Sequence, residues 1–171
     1  MGKRGVQASG SAGSAPSQQG TIIRAIDKPG RILVRGQVPE DCNLVYMTYG
    51  INGQILMMTP AMWQQFEGRI AAMNQDHPDT EDLHRFQIAQ VKDCPIDSAG
   101  RARIPEALRK WAGLDDPKTE AQIVNMGPKG FEIWSVACYN EELRKRAEAM
   151  RQAYAKAAEQ QNVAKSPSAG G

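Results

Sequence analysis

The sequence feature that most constrains the fold is a short motif that occurs twice, Asp-x-x-Gly-Arg. It spans residues 27–31 and again residues 97–101. In each copy an Asp that can accept hydrogen bonds from turn amides precedes a Gly that tolerates a positive φ, so each copy predicts a tight β-hairpin. The hairpin-forming residues are Asp27, Gly30, Asp97 and Gly100. Two hairpins of one design predict two related structural units.

The strand that follows each hairpin begins with the arginine of the motif. Because residues two apart on a strand share a face, Arg101 and Arg103 are expected on one face, and Arg31 and Arg35 on the equivalent face of the first copy. Lys28 lies in the first turn. The opposite face is apolar in both copies, with Ile32, Val34, Ala102 and Ile104. Paired guanidinium groups on a rigid ribbon suit phosphates or guanine edges in a DNA major groove.

Composition narrows the class of protein without identifying a partner. The chain has 171 residues, of which 41% are hydrophobic, which is enough for a modest core. Its net charge is only +2, so charge alone does not indicate nucleic acid. The three cysteines are scattered without a Cys-x-x-Cys pair, which argues against a disulfide framework or a zinc site. Since no long apolar run occurs, we expect a cytoplasmic protein without a membrane span.

The chain divides into two units with polar segments around them. Strand patterns over residues 44–49 and 54–58 and a helix that Thr59 caps complete the first unit. The second unit adds a helix over residues 106–112 that the first unit lacks. Thr80 is expected to cap a short helix between the units. The predicted divisions are a disordered tail (1–19), a degenerate first unit (20–73), a linker with a short helix (74–90), a second unit with a C-terminal helix (91–161) and a disordered tail (162–171).

The last predicted helix carries a short heptad-like seam of apolar residues. Its members are Leu143, Ala147, Met150, Tyr154 and Ala157. We expect this seam to pack on the helix's own domain; the alternative is contact with a neighbouring subunit.

No pattern for catalysis, metal binding or a cofactor is present. Asp27 and Asp97 are interpreted as turn formers, since neither has a second carboxylate or histidine beside it. His77 and His84 lack a third ligand and are interpreted as surface residues. The aromatic residues Trp63, Phe131, Trp134 and Tyr139 fit core positions better than base stacking. The sequence therefore predicts neither an enzyme nor a small-molecule substrate.

Three blocks of the second half form a specific combination, at residues 96–105, 108–114 and 130–134. In this order and spacing they resemble the MraZ family of bacterial transcriptional regulators, within the AbrB-like group of swapped-hairpin DNA-binding folds. The resemblance implies an α+β fold, in which two AbrB-like β-hairpin/helix units in tandem form a double-split β-barrel-like core with a C-terminal helix. The first unit departs from the pattern, because Pro29 stands where the family often has Lys and Arg35 stands at the place of Pro105.

The resemblance also implies a function. Family members are ring-like homo-oligomers that bind short direct repeats of double-stranded DNA upstream of cell-division and cell-wall genes, which implies a nucleoid-associated regulator. Carried over to this chain, the DNA-contacting residues are Arg31 and Arg101; Lys28, Arg35 and Arg103 are added from strand geometry. Two alternatives stay open: a structural or protein-interaction ring that has lost DNA binding, and an AbrB-like antitoxin.

Overall fold

The computed structural model describes residues 20–164, and side chains up to residue 158. The predicted α+β class is confirmed. The strands are β1 (Thr21–Ala25), β2 (Arg31–Leu33), β3 (Leu44–Tyr49), β4 (Ile55–Met58), β5 (Lys92–Pro95), β6 (Arg101–Arg103), β7 (Glu120–Asn125) and β8 (Phe131–Ser135). The helices are α1 (Pro60–Ala71), α2 (Pro78–Leu83), α3 (Glu106–Trp111) and α4 (Val136–Ala164), with a π-helical segment at His84–Ile88 and a 3-10 turn at Gly127–Lys129.

The strands form two antiparallel sheets in which the units exchange strands. The six-stranded sheet has the order β1-β7-β8-β4-β3-β5, and β2 pairs with β6 in a separate two-stranded sheet. Thus β1 of the first unit pairs with β7 of the second, with Thr21 opposite Val124, whereas β5 of the second unit pairs with β3 of the first. This internal two-fold arrangement is the one expected of a swapped-hairpin, barrel-like fold.

One hydrophobic core lies between the two sheets and draws on both units. The predicted alternation is confirmed at the hairpin strands, where Ile32, Val34, Ala102 and Ile104 are fully buried. Other core members from the first unit include Val45, Met47, Ile55 and Met57, and those from the second include Leu108, Leu114, Ile123 and Ile133. Burying each Ile, Leu, Met or Val stabilises the fold by about 1.5–3 kcal/mol, so this shared core fixes the position of the hairpins.

The helices of the two units differ as the sequence predicts. Thr59 caps α1 by accepting a hydrogen bond from the Met62 amide at 3.4 Å, and Pro60 occupies the first turn. In the second unit α3 follows β6 and ends at Trp111. The first unit has turns in place of this helix, over residues 35–43. The first unit therefore connects β2 to β3 by a loop, whereas the second unit connects β6 to β7 through α3.

The linker helix begins earlier than predicted. Thr80 is not its N-cap but a buried residue inside α2. His77 caps the helix instead, because its Nδ1 accepts a hydrogen bond from the Asp79 amide at 3.3 Å and Pro78 favours the first helical position. The short helix then continues as the π-helical segment, which ends at Ile88 rather than at residue 90.

The C-terminal helix α4 differs from its prediction in two ways. It extends through Ala164, three residues past the predicted boundary at 161. Its seam does not pack on its own domain, since Leu143, Met150 and Tyr154 are 46%, 56% and 71% exposed. A heptad pattern specifies an apolar face but not the surface that covers it, which is why the favoured alternative was wrong.

Two predictions fall partly outside the structure. The predicted tail at 1–19 lies outside the described residues, as does the predicted tail at 162–171 except for residues 162–164, which belong to α4. Within residues 20–164, no helix is long and apolar enough to cross a membrane.

Candidate nucleic-acid interface

Hairpin 1 (residues 26–32) and hairpin 2 (residues 96–102) have the same turn geometry. In hairpin 1 the Gly30 amide donates to the Asp27 carbonyl at 2.8 Å, and the Arg31 amide donates to the Asp27 carboxylate at 2.7 Å. In hairpin 2 the Gly100 amide donates to the Asp97 carbonyl at 2.8 Å, and the Arg101 amide donates to the Asp97 carboxylate at 2.9 Å. Each Asp therefore closes the turn that positions the arginine after it.

Each hairpin tip is bonded to the strand of the other hairpin. The carbonyl of Gly100 accepts hydrogen bonds from the amides of Val34 at 2.9 Å and Arg35 at 3.0 Å, and the carbonyl of Gly30 accepts one from Ile104 at 2.9 Å. Together with the β2–β6 pairing, these bonds join the two hairpins into a single ribbon. Arg31 and Arg101 are 70 positions apart in the sequence, yet the two motifs lie side by side.

The arginines and aspartates of the two motifs form one ion-pair group, called here the Arg/Asp cluster (Asp27, Arg31, Asp97 and Arg101). Arg31 Nε lies 2.8 Å from Asp27 Oδ2, and Arg101 Nε lies 3.1 Å from Asp97 Oδ2. Two cross pairs link the hairpins at 3.5 Å, one from Arg31 to Asp97 and one from Arg101 to Asp27. Each side chain is about one third exposed. Arg31 and Arg101 are thus held in place but remain accessible to solvent.

The cluster keeps both carboxylates ionised. The backbone hydrogen bond from Arg101 is the largest influence on Asp97 and, with the side-chain bond and charge of Arg101, lowers its pKa despite some desolvation. At Asp27 desolvation raises the pKa, but the hydrogen bonds from Arg31 and the charges of Arg31 and Arg101 outweigh it, so the net shift is also downward. Both pairs therefore carry full charges at neutral pH.

Lys28 and Arg103 are the unpaired cations of the ribbon. Both are exposed, and neither side chain forms a hydrogen bond or salt bridge with another described residue, although, after the hydrogen bond from Lys110, the charge of Arg103 contributes to lowering the pKa of Glu106. Arg103 lies opposite Arg31 in the β2–β6 register, and Leu33 lies opposite Arg101. The outward face of the ribbon therefore carries the two arginines of the Arg/Asp cluster, together with Arg103 and Leu33. Lys28 lies in the turn of hairpin 1.

Arg35 is half-buried and serves the loop that follows β2. Its Nη1 donates to the carbonyl of Glu40 at 2.6 Å and to those of Pro39 and Cys42 at 3.3 Å. The strand alternation placed Arg35 on the arginine face, but these bonds show its guanidinium satisfying the backbone of the segment that replaces the missing helix.

Arg109 belongs to the same neighbourhood, although the sequence pattern did not indicate it. A Cβ atom added to Gly30 would lie 2.6 Å from Arg109 Cζ, so the guanidinium of α3 rests on the tip of hairpin 1. The corresponding contact at hairpin 2 comes from Arg35, whose Cβ would lie 2.4 Å from a Cβ on Gly100. Helical periodicity along α3 does not report contact with a hairpin from the other unit, so only the folded structure shows it.

The aromatic residues predicted to lie in the core do not belong to the ribbon. Trp63, Phe131 and Trp134 are buried, which confirms their assignment to the core. Among residues 20–158, no group of three or more His, Cys, Asp or Glu side chains is arranged to hold a metal ion. Among the described residues, the candidate functional side chains are therefore the charged ones on the β2–β6 ribbon.

Comparison with known proteins places the chain in a family. No protein-family model matches it. It is 32% identical over 135 residues to the transcriptional regulator MraZ of Solidesulfovibrio magneticus, a match that covers 75% of this chain and 86% of that protein. It is also similar to the transcriptional regulators MraZ of Shewanella denitrificans (26% identity; 69% and 79% covered) and Alkaliphilus oremlandii (28%; 68% and 79%). With the duplicated hairpin fold and this extent of similarity, the chain belongs to the MraZ family of transcriptional regulators.

Proposed function

We propose that this protein is a DNA-binding transcriptional regulator that recognises double-stranded DNA sequence-specifically through the β2–β6 ribbon. The observation that carries the proposal is the outward face of the ribbon, which bears Arg31, Arg101 and Arg103. The other face of the ribbon bears the fully buried side chains of Ile32 and Ala102. A two-stranded ribbon fits a DNA major groove, and Arg is the side chain best suited to guanine edges and phosphates. The curated relatives are named transcriptional regulators.

The cations on and beside the ribbon have different roles in the proposed complex. Arg31 and Arg101 are oriented in advance by the Arg/Asp cluster, and a group that is already ordered loses less entropy when it binds. Arg31 Nη2 donates to no described residue and keeps its hydrogens for a base or a phosphate. A well-placed bidentate Arg–guanine pair contributes about 1–3 kcal/mol of discrimination. Lys28 and Arg103 supply charge that no carboxylate of the cluster neutralises, and Arg35 orders the adjacent loop.

The proposal extends to a ring-like homo-oligomer that binds short direct repeats upstream of cell-division and cell-wall genes, in the cytoplasm and associated with the nucleoid. Two observations support assembly. The net charge of one chain is only +2, and several linked copies strengthen binding by raising the effective concentration of ribbons. The seam of α4 is exposed at Leu143, Met150 and Tyr154, and a second copy of the chain would cover it at heptad positions.

The proposal is tested by incubating the purified protein with sheared genomic DNA and sequencing the retained fragments. We expect enrichment of fragments that share a short repeated sequence. R103L, which gives hairpin 2 the residue that hairpin 1 has at Leu33, should lose most of the enrichment. K110M removes the same charge from α3, where Lys110 pairs with Glu106, and should retain it. Light scattering of the same samples measures the number of subunits.

A second candidate function is a structural or protein-interaction ring of the same fold. One observation favours it: the carboxylates of Asp27 and Asp97 neutralise Arg31 and Arg101 within the cluster. The salt dependence of binding discriminates the two functions, because phosphate contacts release counterions and weaken as salt rises. Absence of any DNA binding at low salt would favour the interaction ring and contradict the regulator.

A further inference from the structure

Arg109 lies on the one helix that distinguishes the second unit. Helix α3 turns the chain away from the ribbon directly after β6, and its Leu108 is 1% exposed in the shared core. The neighbouring Arg109 is half-buried and rests on hairpin 1, which belongs to the other unit. The side chain thus connects an element of the second unit to the turn of the first.

The contact between Arg109 and hairpin 1 is close and involves the charged end of the side chain. A Cβ at Gly30 would lie 2.6 Å from Cζ, 2.7 Å from Nη1 and 2.9 Å from Nε of Arg109. A side chain at this place would displace the guanidinium from the hairpin tip. Gly30 is preceded by Lys28 and Pro29 and followed by Arg31, so the guanidinium is added to a turn that already bears two cations.

No described residue forms a hydrogen bond or salt bridge with this guanidinium, although, after the hydrogen bond from Lys110, its charge contributes to lowering the pKa of Glu106. Its Nε is buried without a hydrogen-bond partner, and its other nitrogens form no hydrogen bond or salt bridge within the described residues. Glu106, on the same helix, pairs with Lys110 at 2.6 Å, and Asp27 is paired with Arg31 and Arg101. Buried donors in proteins almost always have an acceptor, so this guanidinium has hydrogen-bonding capacity that no described residue uses.

The equivalent place on hairpin 2 shows the contrast. There the arginine that rests on the glycine is Arg35, and its Nη1 is used by three backbone carbonyls of its own loop. Each tip is therefore covered by an arginine of the other unit. Nη1 of Arg35 is bonded to its own loop, whereas no guanidinium nitrogen of Arg109 is hydrogen-bonded to a described residue.

We propose that Arg109 contacts a DNA phosphate at hairpin 1, so that the second unit supplies a DNA-binding residue to the first. The inference rests on the proposed function and adds to it a residue on α3. Arg109 and Lys28 flank Gly30, and a phosphate bound over the tip accepts hydrogen bonds from the guanidinium and attraction from the ammonium. The terminal nitrogens of Arg109, which unlike Nε are not buried, donate to the phosphate in that complex.

The test measures DNA affinity across a salt series for the wild type, R109M and K110M, using a fragment enriched from genomic DNA. Loss of one phosphate contact makes the slope of log affinity against log salt shallower by about 0.9 for each engaged subunit. We expect this change for R109M and the wild-type slope for K110M, which removes the same charge at the next position. A purely structural role would lower the melting temperature of R109M and leave its slope unchanged.

Each outcome separates the inference from the proposed function. Salt-dependent binding by the wild type with an unchanged slope in R109M overturns the inference and leaves the regulator intact. Absence of binding by the wild type overturns both.

A second measurement uses the unaltered protein and decides the matter if R109M does not fold. Phenylglyoxal modifies accessible arginines, and mass spectrometry of the peptides reports each site with and without DNA. We expect DNA to suppress the modification of Arg109 and not that of Arg151, which is exposed on α4 beside Glu148. Equal modification of Arg109 in both samples overturns the inference.

Discussion

Hairpin 1 and hairpin 2 share the residues that fix the backbone and differ in those that face solvent. Asp27 and Asp97 make nearly the same turn bonds, at 2.7 and 2.9 Å to the following arginine amide. At the exposed positions Lys28 of hairpin 1 corresponds to Ser98 of hairpin 2, and Leu33 corresponds to Arg103. The duplication has therefore kept one scaffold and given each copy its unpaired cation at a different place, in the turn of hairpin 1 and on the strand of hairpin 2.

The largest expected effect is the loss of stability when either hairpin glycine is replaced by alanine. The two glycines are covered by different side chains, so the losses should differ. Both need a positive φ, +85° at Gly30 and +78° at Gly100, and an alanine there costs about 1–2 kcal/mol of unfolding free energy. At Gly100 the new methyl group would also meet Arg35 Cβ at 2.4 Å, close to the backbone, whereas at Gly30 it meets the movable end of Arg109. We expect G100A to lose a further 1–3 kcal/mol, roughly, through overpacking.

Urea unfolding at fixed protein concentration measures these losses. G53A is the matched control, because Gly53 has φ +90° with no atom within 4 Å of an added Cβ, and it should show the backbone cost alone. An equal loss in G100A and G53A would contradict the close packing at hairpin 2.

The next effect compares the two arginines of the Arg/Asp cluster in DNA binding. R31A and R101A each remove one member of the Arg/Asp cluster, so they should destabilise the fold to a similar extent. We expect R31A to weaken DNA binding more, by about 1–3 kcal/mol, because Arg103 lies directly opposite Arg31 across the ribbon, whereas Leu33 lies opposite Arg101. Fluorescence anisotropy with one operator fragment gives both affinities. A larger loss in R101A would make hairpin 2 the principal reader.

Local chemistry explains which parts of this arrangement were predictable. The strands around Ile32 and Ala102 follow from alternation, and the Asp97 turn follows from the side-chain acceptor and the glycine. The cross pairs from Arg31 to Asp97 and from Arg101 to Asp27 depend on β2 lying against β6. That pairing joins segments of the two units, and nothing in either segment alone specifies it.

The same distinction accounts for the errors. Thr80 and His77 are both acceptable caps by residue type, and Pro78 decided between them. The seam of α4 shows its apolar face in the sequence, but its exposure depends on the shape of the domain beside it. Arg109 was missed because its contact with Gly30 crosses from one unit to the other.

A smaller effect concerns the strand before each hairpin, where Arg24 occupies the position of Cys94. Cys94 is buried, whereas Arg24 has its Nε buried without a hydrogen-bond partner. Because an unsatisfied buried donor is costly, we expect R24M to stabilise the protein by about 1 kcal/mol, measured as the shift in the urea midpoint. R24K removes the same nitrogen and keeps the charge. If the wild type were more stable than both variants, Arg24 would have an unrecognised stabilising contact.

The smallest effect is the pH dependence of the Arg/Asp cluster, because solvent screens its partly exposed groups. The pKa values of Asp27 and Asp97 are lower in the folded protein than the ordinary value of 3.8. Their stabilisation is therefore complete above that value and lost as the pH falls through the lower folded values.

Urea midpoints measured from neutral pH downward should stay level and then fall in acid. D27N and D97N should each flatten the acid limb, and D97N the more, because Asp97 also accepts a hydrogen bond from the Ala99 amide at 3.0 Å. A loss of stability in D97N alone would show that the cluster belongs mainly to hairpin 2.

The exchange of strands between the units has a consequence during synthesis of the chain on the ribosome. Strand β1 pairs with β7, as Thr21 with Val124, and β2 pairs with β6, so the first half of the nascent chain has no partner for two of its strands until the second half emerges. Contacts of such wide sequence separation form late and slow the folding rate. Translation of the second unit thus completes the first, and a chain that stops before β7 lacks a strand of its sheet and part of its core.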